Sequence, residues 1–215
     1  VPFEEMPYIF NPKSGYIATA NNKTIDDKFS YYISGLWADP SRAERINELI
    51  EPLNNATADN MKSIQLDTVS PFAREMCTLL LKFNFSFDDD KITKIINDLK
   101  KWDGGEGSDS QEALFFHSII KELAHNIYGD ELSLLGENYL EAFLGLKYLY
   151  TRNLRVLLKK GHSSWFDNIT TKKKEETMED IIKLSIIKGI NTVFEKYGDK
   201  KENTVWGKAH SLTHP

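Results

Sequence analysis

Apolar residues recur at helical spacing through most of the chain. In "SPFAREMCTLLLKF", Phe72, Met76, Leu79, Leu80 and Phe83 fall on one face; in "DKITKIINDLKKW", Ile92, Ile95, Ile96 and Leu99 do the same. This pattern predicts helices at about 58–66, 70–83, 89–102, 109–128, 131–159 and 174–197. An earlier helix is written into "ADPSRAERINELIEPL". Asp39 can cap it, Pro40 suits its first turn, Ile46, Leu49 and Ile50 make its apolar stripe, and Pro52 ends it. Six of the seven prolines lie at or before Pro71 and the last is Pro215. A proline inside a helix costs about 3 kcal/mol, so the stretch between them is free to form long helices. The glycines there sit at punctuation: Gly104, Gly105 and Gly107, then Gly129, Gly161 and Gly198.

The first 37 residues follow a different pattern. "VPFEEMPYIFNP" carries three prolines and predicts an extended or irregular path. "GYIATA" is rich in β-branched and aromatic residues and predicts an extended segment. "FSYYISGLW" fits strand and helix equally. The expected fold is therefore mainly α, a multi-helix domain with a short extended or β N-terminal part. Two asparagines, Asn21 and Asn22, end the extended segment. Asparagine is a common turn residue. Its carboxamide can also donate to an oxyanion, a use worth about 3–4 kcal/mol in a transition state. Arg42, a turn into the following helix, is a candidate positive anchor for such a site. Spacing alone does not show that the two meet.

Composition narrows the class. The chain has 215 residues, 40% hydrophobic and 27% charged, enough for a substantial core. No apolar run approaches the roughly 18 residues of a membrane helix. The net charge of −5 offers no basic face, so neither a membrane nor a nucleic acid is an expected partner. The lone Cys77 excludes an internal disulfide and, on its apolar stripe, reads as a buried structural thiol. His210 and His214 are spaced as metal ligands can be on a helix, but no further ligand motif accompanies them, and His117, His125 and His162 are scattered. "HSSWFD" holds His162, Ser163, Ser164 and Asp167, yet a catalytic triad is assembled from distant segments. It reads as a structured loop with Trp165 and Phe166 buried. "KKKEE" at 172–176 reads as a solvated face. Glycosylation sequons at Asn22, Asn55, Asn84 and Asn168 matter only in a glycosylating compartment.

The segment "VPFEEMPYIFNPKSGYIATANN … GLWADPSRAERI" resembles the penicillin acylase family of N-terminal nucleophile hydrolases. The resemblance continues through "MKSIQLDTVSPFAREM", "WDG … DS", "HSSWFD" and "WGKAH", covering nearly the whole chain. It implies a precursor cut autocatalytically into α and β chains, with the new N-terminal serine of the β chain as nucleophile and its own amine as base. The family's oxyanion asparagine, the first of an "NN" pair, corresponds to Asn21. A family arginine that organises the site, a few residues after "LW", corresponds to Arg42. Some members bind calcium through an aspartate between these points. Here Tyr31 or Tyr32 stands there, and Asp26 and Asp27 come too early, so no cofactor is expected.

On this resemblance residues 1–37 belong to an αββα hydrolase sandwich and residues 38–215 form a helical domain. Val1 has no hydroxyl, so the nucleophile lies elsewhere. The chain reads as an internal β-chain fragment, inactive alone, partnered by the α chain and the rest of the β chain, with a small acyl-amide substrate. Many relatives are exported, but the sequence gives no compartment. An excised piece with exposed apolar surface is expected to self-associate. The competing readings are a non-catalytic helical interaction module and a degenerate acylase without its serine.

Overall fold

The structure, a computed structural model, describes residues 1–212. Nine α-helices lie among them: α1 (Ser41–Ile50), α2 (Ala58–Gln65), α3 (Pro71–Leu80), α4 (Asp90–Leu99), α5 (Gln111–Leu134), α6 (Glu137–Gly145), α7 (Lys147–Lys160), α8 (Met178–Tyr197) and α9 (Trp206–Ala209). Short 3-10 turns occur at Phe3–Glu5 and Ser164–Phe166. The fold is mainly helical, as expected. The chain divides into two compact units, Val1–Pro71 and the part from Phe72 onward.

The first unit is irregular as far as α1. The extended "GYIATA" segment forms no strand ladder among the described residues. A strand is stabilised by hydrogen bonds to a neighbour, and sequence propensity cannot supply the neighbour. The unit buries few side chains, notably Ala20, Ser41 and Ala43. Polar ties hold it instead. Arg45 meets Asp67 through two parallel contacts of 2.8 Å, Nε to Oδ1 and Nη2 to Oδ2, and its Nη1 meets Glu48 at 2.9 Å. Tyr16 donates to Glu51 at 3.3 Å. At the start of α2, Thr57 and Asn60 form a reciprocal capping box.

The second unit is built on α5. Its apolar residues lie nearly all round the helix, and Phe115, Phe116, Leu123 and Ile127 are almost fully buried, as a central helix requires. α8 packs along it. At their crossing Ser118 Oγ donates to the Gly189 carbonyl at 2.8 Å, and further along Asn126 Nδ2 donates to Ser185 Oγ at 2.9 Å. Ser185 is fully buried, and its hydroxyl donates to the Ile181 carbonyl at 2.6 Å, so the polar group is satisfied. Phe72 and Trp102 both flank Phe116, at 6.2 and 5.5 Å between ring centres. The predicted 131–159 helix is broken in two places. Gly136, at φ 130°, separates α5 from α6, and Leu146 separates α6 from α7.

Candidate functional site

The candidate site is the turn at Asn21. Ala20 is buried and anchors the approach. Asn21 then adopts a left-handed backbone, φ 61°, which asparagine tolerates far better than most side chains. Its carbonyl accepts the Ala38 N–H at 2.9 Å, which brings the segment after "LW" back against the turn. α1 begins three residues later, with Asp39 Oδ1 accepting the Ser41 N–H at 3.0 Å. Arg42, in the first turn of α1, is thereby placed to reach the asparagine. Its Nη2 donates to the Ala20 carbonyl and to Asn21 Oδ1, both at 2.8 Å. The two residues singled out in the sequence are in direct contact.

This contact orients the carboxamide. A guanidinium has only donors, so the atom facing Arg42 must be the amide oxygen. Nδ2 is then the other arm. It meets no hydrogen-bond acceptor among the described residues, and Asn21 is exposed. A cation on Oδ1 also polarises the amide and strengthens its N–H as a donor. The arrangement is thus an aimed, charge-assisted N–H donor open to a group from outside.

Three supports of this turn were not legible in the sequence. The Ala38 N–H and the Arg45–Asp67 pair join segments far apart in the chain. Asn22 is the third. It was readable as a turn residue, but the bonds its side chain makes were not: Oδ1 accepts the Ala20 N–H at 3.0 Å and Nδ2 donates to the Lys23 carbonyl at 3.2 Å. Asn22 also lines a groove of about 520 Å³ with Tyr8, Ile9, Tyr16, Ile17 and Thr19.

The remaining candidates give no reactive centre. Cys77 is buried, and burial pushes its thiol up to about 12, which leaves it protonated and unreactive at neutral pH. In the "HSSWFD" loop Phe166 is buried as expected, but Trp165 is 37% exposed, which corrects the expectation for that residue. It packs edge-on to Tyr128 at 5.4 Å and, with Tyr128, Phe143 and Leu157, lines a largely apolar cavity of about 260 Å³. The loop's Asp167 is engaged in accepting the Glu176 N–H at 3.0 Å. His117 lies 3.1 Å from Glu106 and stacks on Trp206 at 4.4 Å; burial holds its pKa below the ordinary histidine value. His214 lies outside the described residues. Among those described, no cluster of three His, Cys, Asp or Glu side chains is placed to hold a metal ion.

The family described as penicillin amidase matches residues 1–215. The chain is 26% identical over 219 residues to the acyl-homoserine lactone acylase QuiP of Pseudomonas syringae pv. syringae (strain B728a), covering 95% of this chain and 26% of that protein. It is 30% identical over 125 residues to the penicillin acylase 2 proenzyme of Pseudomonas sp. (strain SE83), covering 57% of this chain and 16% of the relative. Over 112 residues it is 30% identical to the penicillin G acylase of Escherichia coli, covering 48% and 13%. The chain therefore spans about a quarter of the length of the acyl-homoserine lactone acylases it matches along nearly all of its own length. With the match running from its first residue to its last, this chain belongs to the penicillin amidase family.

Proposed function

We propose that the chain is the part of a linear-amide hydrolase that supplies its side-chain oxyanion donor, Asn21, and the arginine that aims it, Arg42. The observation that carries this reading is the 2.8 Å contact between Arg42 and Asn21 Oδ1, which turns the carboxamide N–H outward. Family membership supplies the reaction class. In the complete enzyme the hydroxyl of an N-terminal serine, contributed from outside this chain, adds to the amide carbonyl. The carbonyl oxygen becomes negative and accepts the Asn21 Nδ2–H. Collapse breaks the C–N bond, the amine leaves with the serine proton, and water then releases the acyl group as a carboxylate. One such donor contributes about 3–4 kcal/mol to the transition state.

The same reading makes the remainder of the acylase, its α chain and the rest of its β chain, the partner of this chain after autocatalytic processing. It assigns residues 1–37 to the hydrolase sandwich and residues 38–215 to a helical domain. The exposed Phe3, Tyr8, Phe10 and Tyr32 of the first unit fit surface that such a partner covers. It requires no metal or cofactor. By itself the chain is inactive, since a donor and a cation supply no nucleophile.

The test is Asn21→Ala in the complete acylase. A loss of about 10²–10³ in kcat with an unchanged circular dichroism spectrum is expected. An unchanged kcat overturns the assignment. A burst of product from the 215-residue chain alone overturns its inactivity.

A further inference from the structure

We infer that Asn22 is a positioning residue for the Asn21 donor, acting through its own carboxamide. This rests on the function proposed for Asn21. The hydrogen bonds around the turn divide the work between two side chains. Arg42 takes the Ala20 carbonyl and Asn21 Oδ1, both at 2.8 Å. Asn22 takes the Ala20 N–H at 3.0 Å and the Lys23 carbonyl at 3.2 Å, so it clamps the backbone on both sides of Asn21. The Ala38 N–H takes the Asn21 carbonyl at 2.9 Å. Asn21 sits at the apex in a left-handed conformation that most residues avoid, and such a conformation persists only where its surroundings fix it.

The direction of the first bond separates this role from ordinary turn chemistry. An asparagine in a turn commonly accepts from a backbone N–H two residues ahead. Asn22 accepts from one two residues behind, across the residue that it positions. Without that acceptor the Ala20 N–H, on a buried residue, loses its partner. The junction between the extended segment and the turn then relaxes, and the Asn21 carboxamide leaves the line set by Arg42. Misplacement of a reacting group by about 1 Å costs up to about 10²-fold in rate. Asn22 touches no reacting atom in this account; its effect passes through Asn21.

The test uses three variants of the complete acylase and a measurement on the chain itself. Asn22→Ala is expected to lower kcat by about 10–100-fold with KM changed by less than about threefold. Asn22→Asp keeps an oxygen facing the Ala20 N–H but loses the donor to the Lys23 carbonyl, and is expected to recover part, not all, of the kcat lost in Asn22→Ala. In the 215-residue chain the Ala20 amide is expected to exchange with solvent at least about tenfold faster in Asn22→Ala than in the parent or in Asn22→Asp. An unchanged kcat in Asn22→Ala, or an Ala20 amide whose exchange does not respond, overturns the inference. If Asn21→Ala is severe while Asn22→Ala is silent, only this inference fails. If Asn21→Ala is itself silent, the function proposed above fails with it.

Discussion

Gly189 passes Ile119 so closely that a methyl group on its α-carbon would stand 2.7 Å from the Ile119 α-carbon and 2.8 Å from its backbone nitrogen. Both obstacles are backbone atoms, so no side-chain rotation relieves them. The glycine is what allows α5 and α8 to approach along their length. Gly189→Ala is therefore expected to destabilise the helical unit by about 1–3 kcal/mol, the usual range for overpacking. Urea unfolding followed by circular dichroism reads the change, and an unmoved midpoint contradicts it.

The Arg45–Asp67 pair predicts a loss that charge conservation does not prevent. Both side chains are about four-fifths shielded, and the two parallel contacts use the planar fork of the guanidinium. Lysine keeps the charge but offers a single point donor. Arg45→Lys is expected to lower the stability of the first unit by about 1–2 kcal/mol. Faster hydrogen exchange in α1 would register it, while unchanged α1 protection would show that the second contact contributes nothing.

Glu131 predicts a dependence on pH. One of its carboxylate oxygens is buried without a hydrogen-bond partner among the described residues. Burial first, then the hydrogen bond to Asp130 and the charges of Asp130 and Asp167, push its carboxyl up to about 7 from the ordinary 4.5. The folded chain thus holds a proton that the unfolded chain releases. Its contribution is fully present below pH 4.5 and is lost as pH rises to about 7. Glu131→Gln is expected to be more stable than the parent at pH 8 by about 1 kcal/mol, after allowance for solvent screening of this partly exposed group, and equal to it near pH 4.5. Urea titrations at the two pH values decide; equal stability at both sinks the prediction.

Cys77 is expected to behave as a reporter of unfolding. With the thiol pushed up to about 12 and buried, a disulfide reagent at pH 8 should modify it no faster than the chain opens. Full reaction within the mixing time under native conditions would show that the thiol is reactive in the folded state.

Much of this architecture was readable from apolar spacing. The stripes through Phe72 and Met76 and through Ile92 and Ile96 are buried as the pattern requires. Two features were not readable. The run from 131 to 159 keeps helical residues throughout, and its breaks depend on a glycine at φ 130° and on Leu146 at φ −96°, ψ 63°. The "GYIATA" segment has strand composition, but a ladder depends on a partner that local sequence does not specify. At the site, the residue types of Asn21 and Arg42 and their family spacing were legible. Their contact was not, because it depends on how the intervening segment folds back through the Ala38 N–H.

The left-handed backbone at Asn21 narrows what evolution or an engineer can place there. Glycine fits the conformation but gives Arg42 no oxygen. Aspartate fits it and pairs with Arg42, but its ionised carboxylate has no hydrogen to offer. Glutamine carries both groups on a longer arm that lacks asparagine's preference for this region. Of these four residues, only asparagine meets the demands of the backbone, the arginine and the proposed donor role together. A change at position 21 to glycine, aspartate or glutamine therefore forfeits the arginine contact, the donor or the turn, a different one in each case.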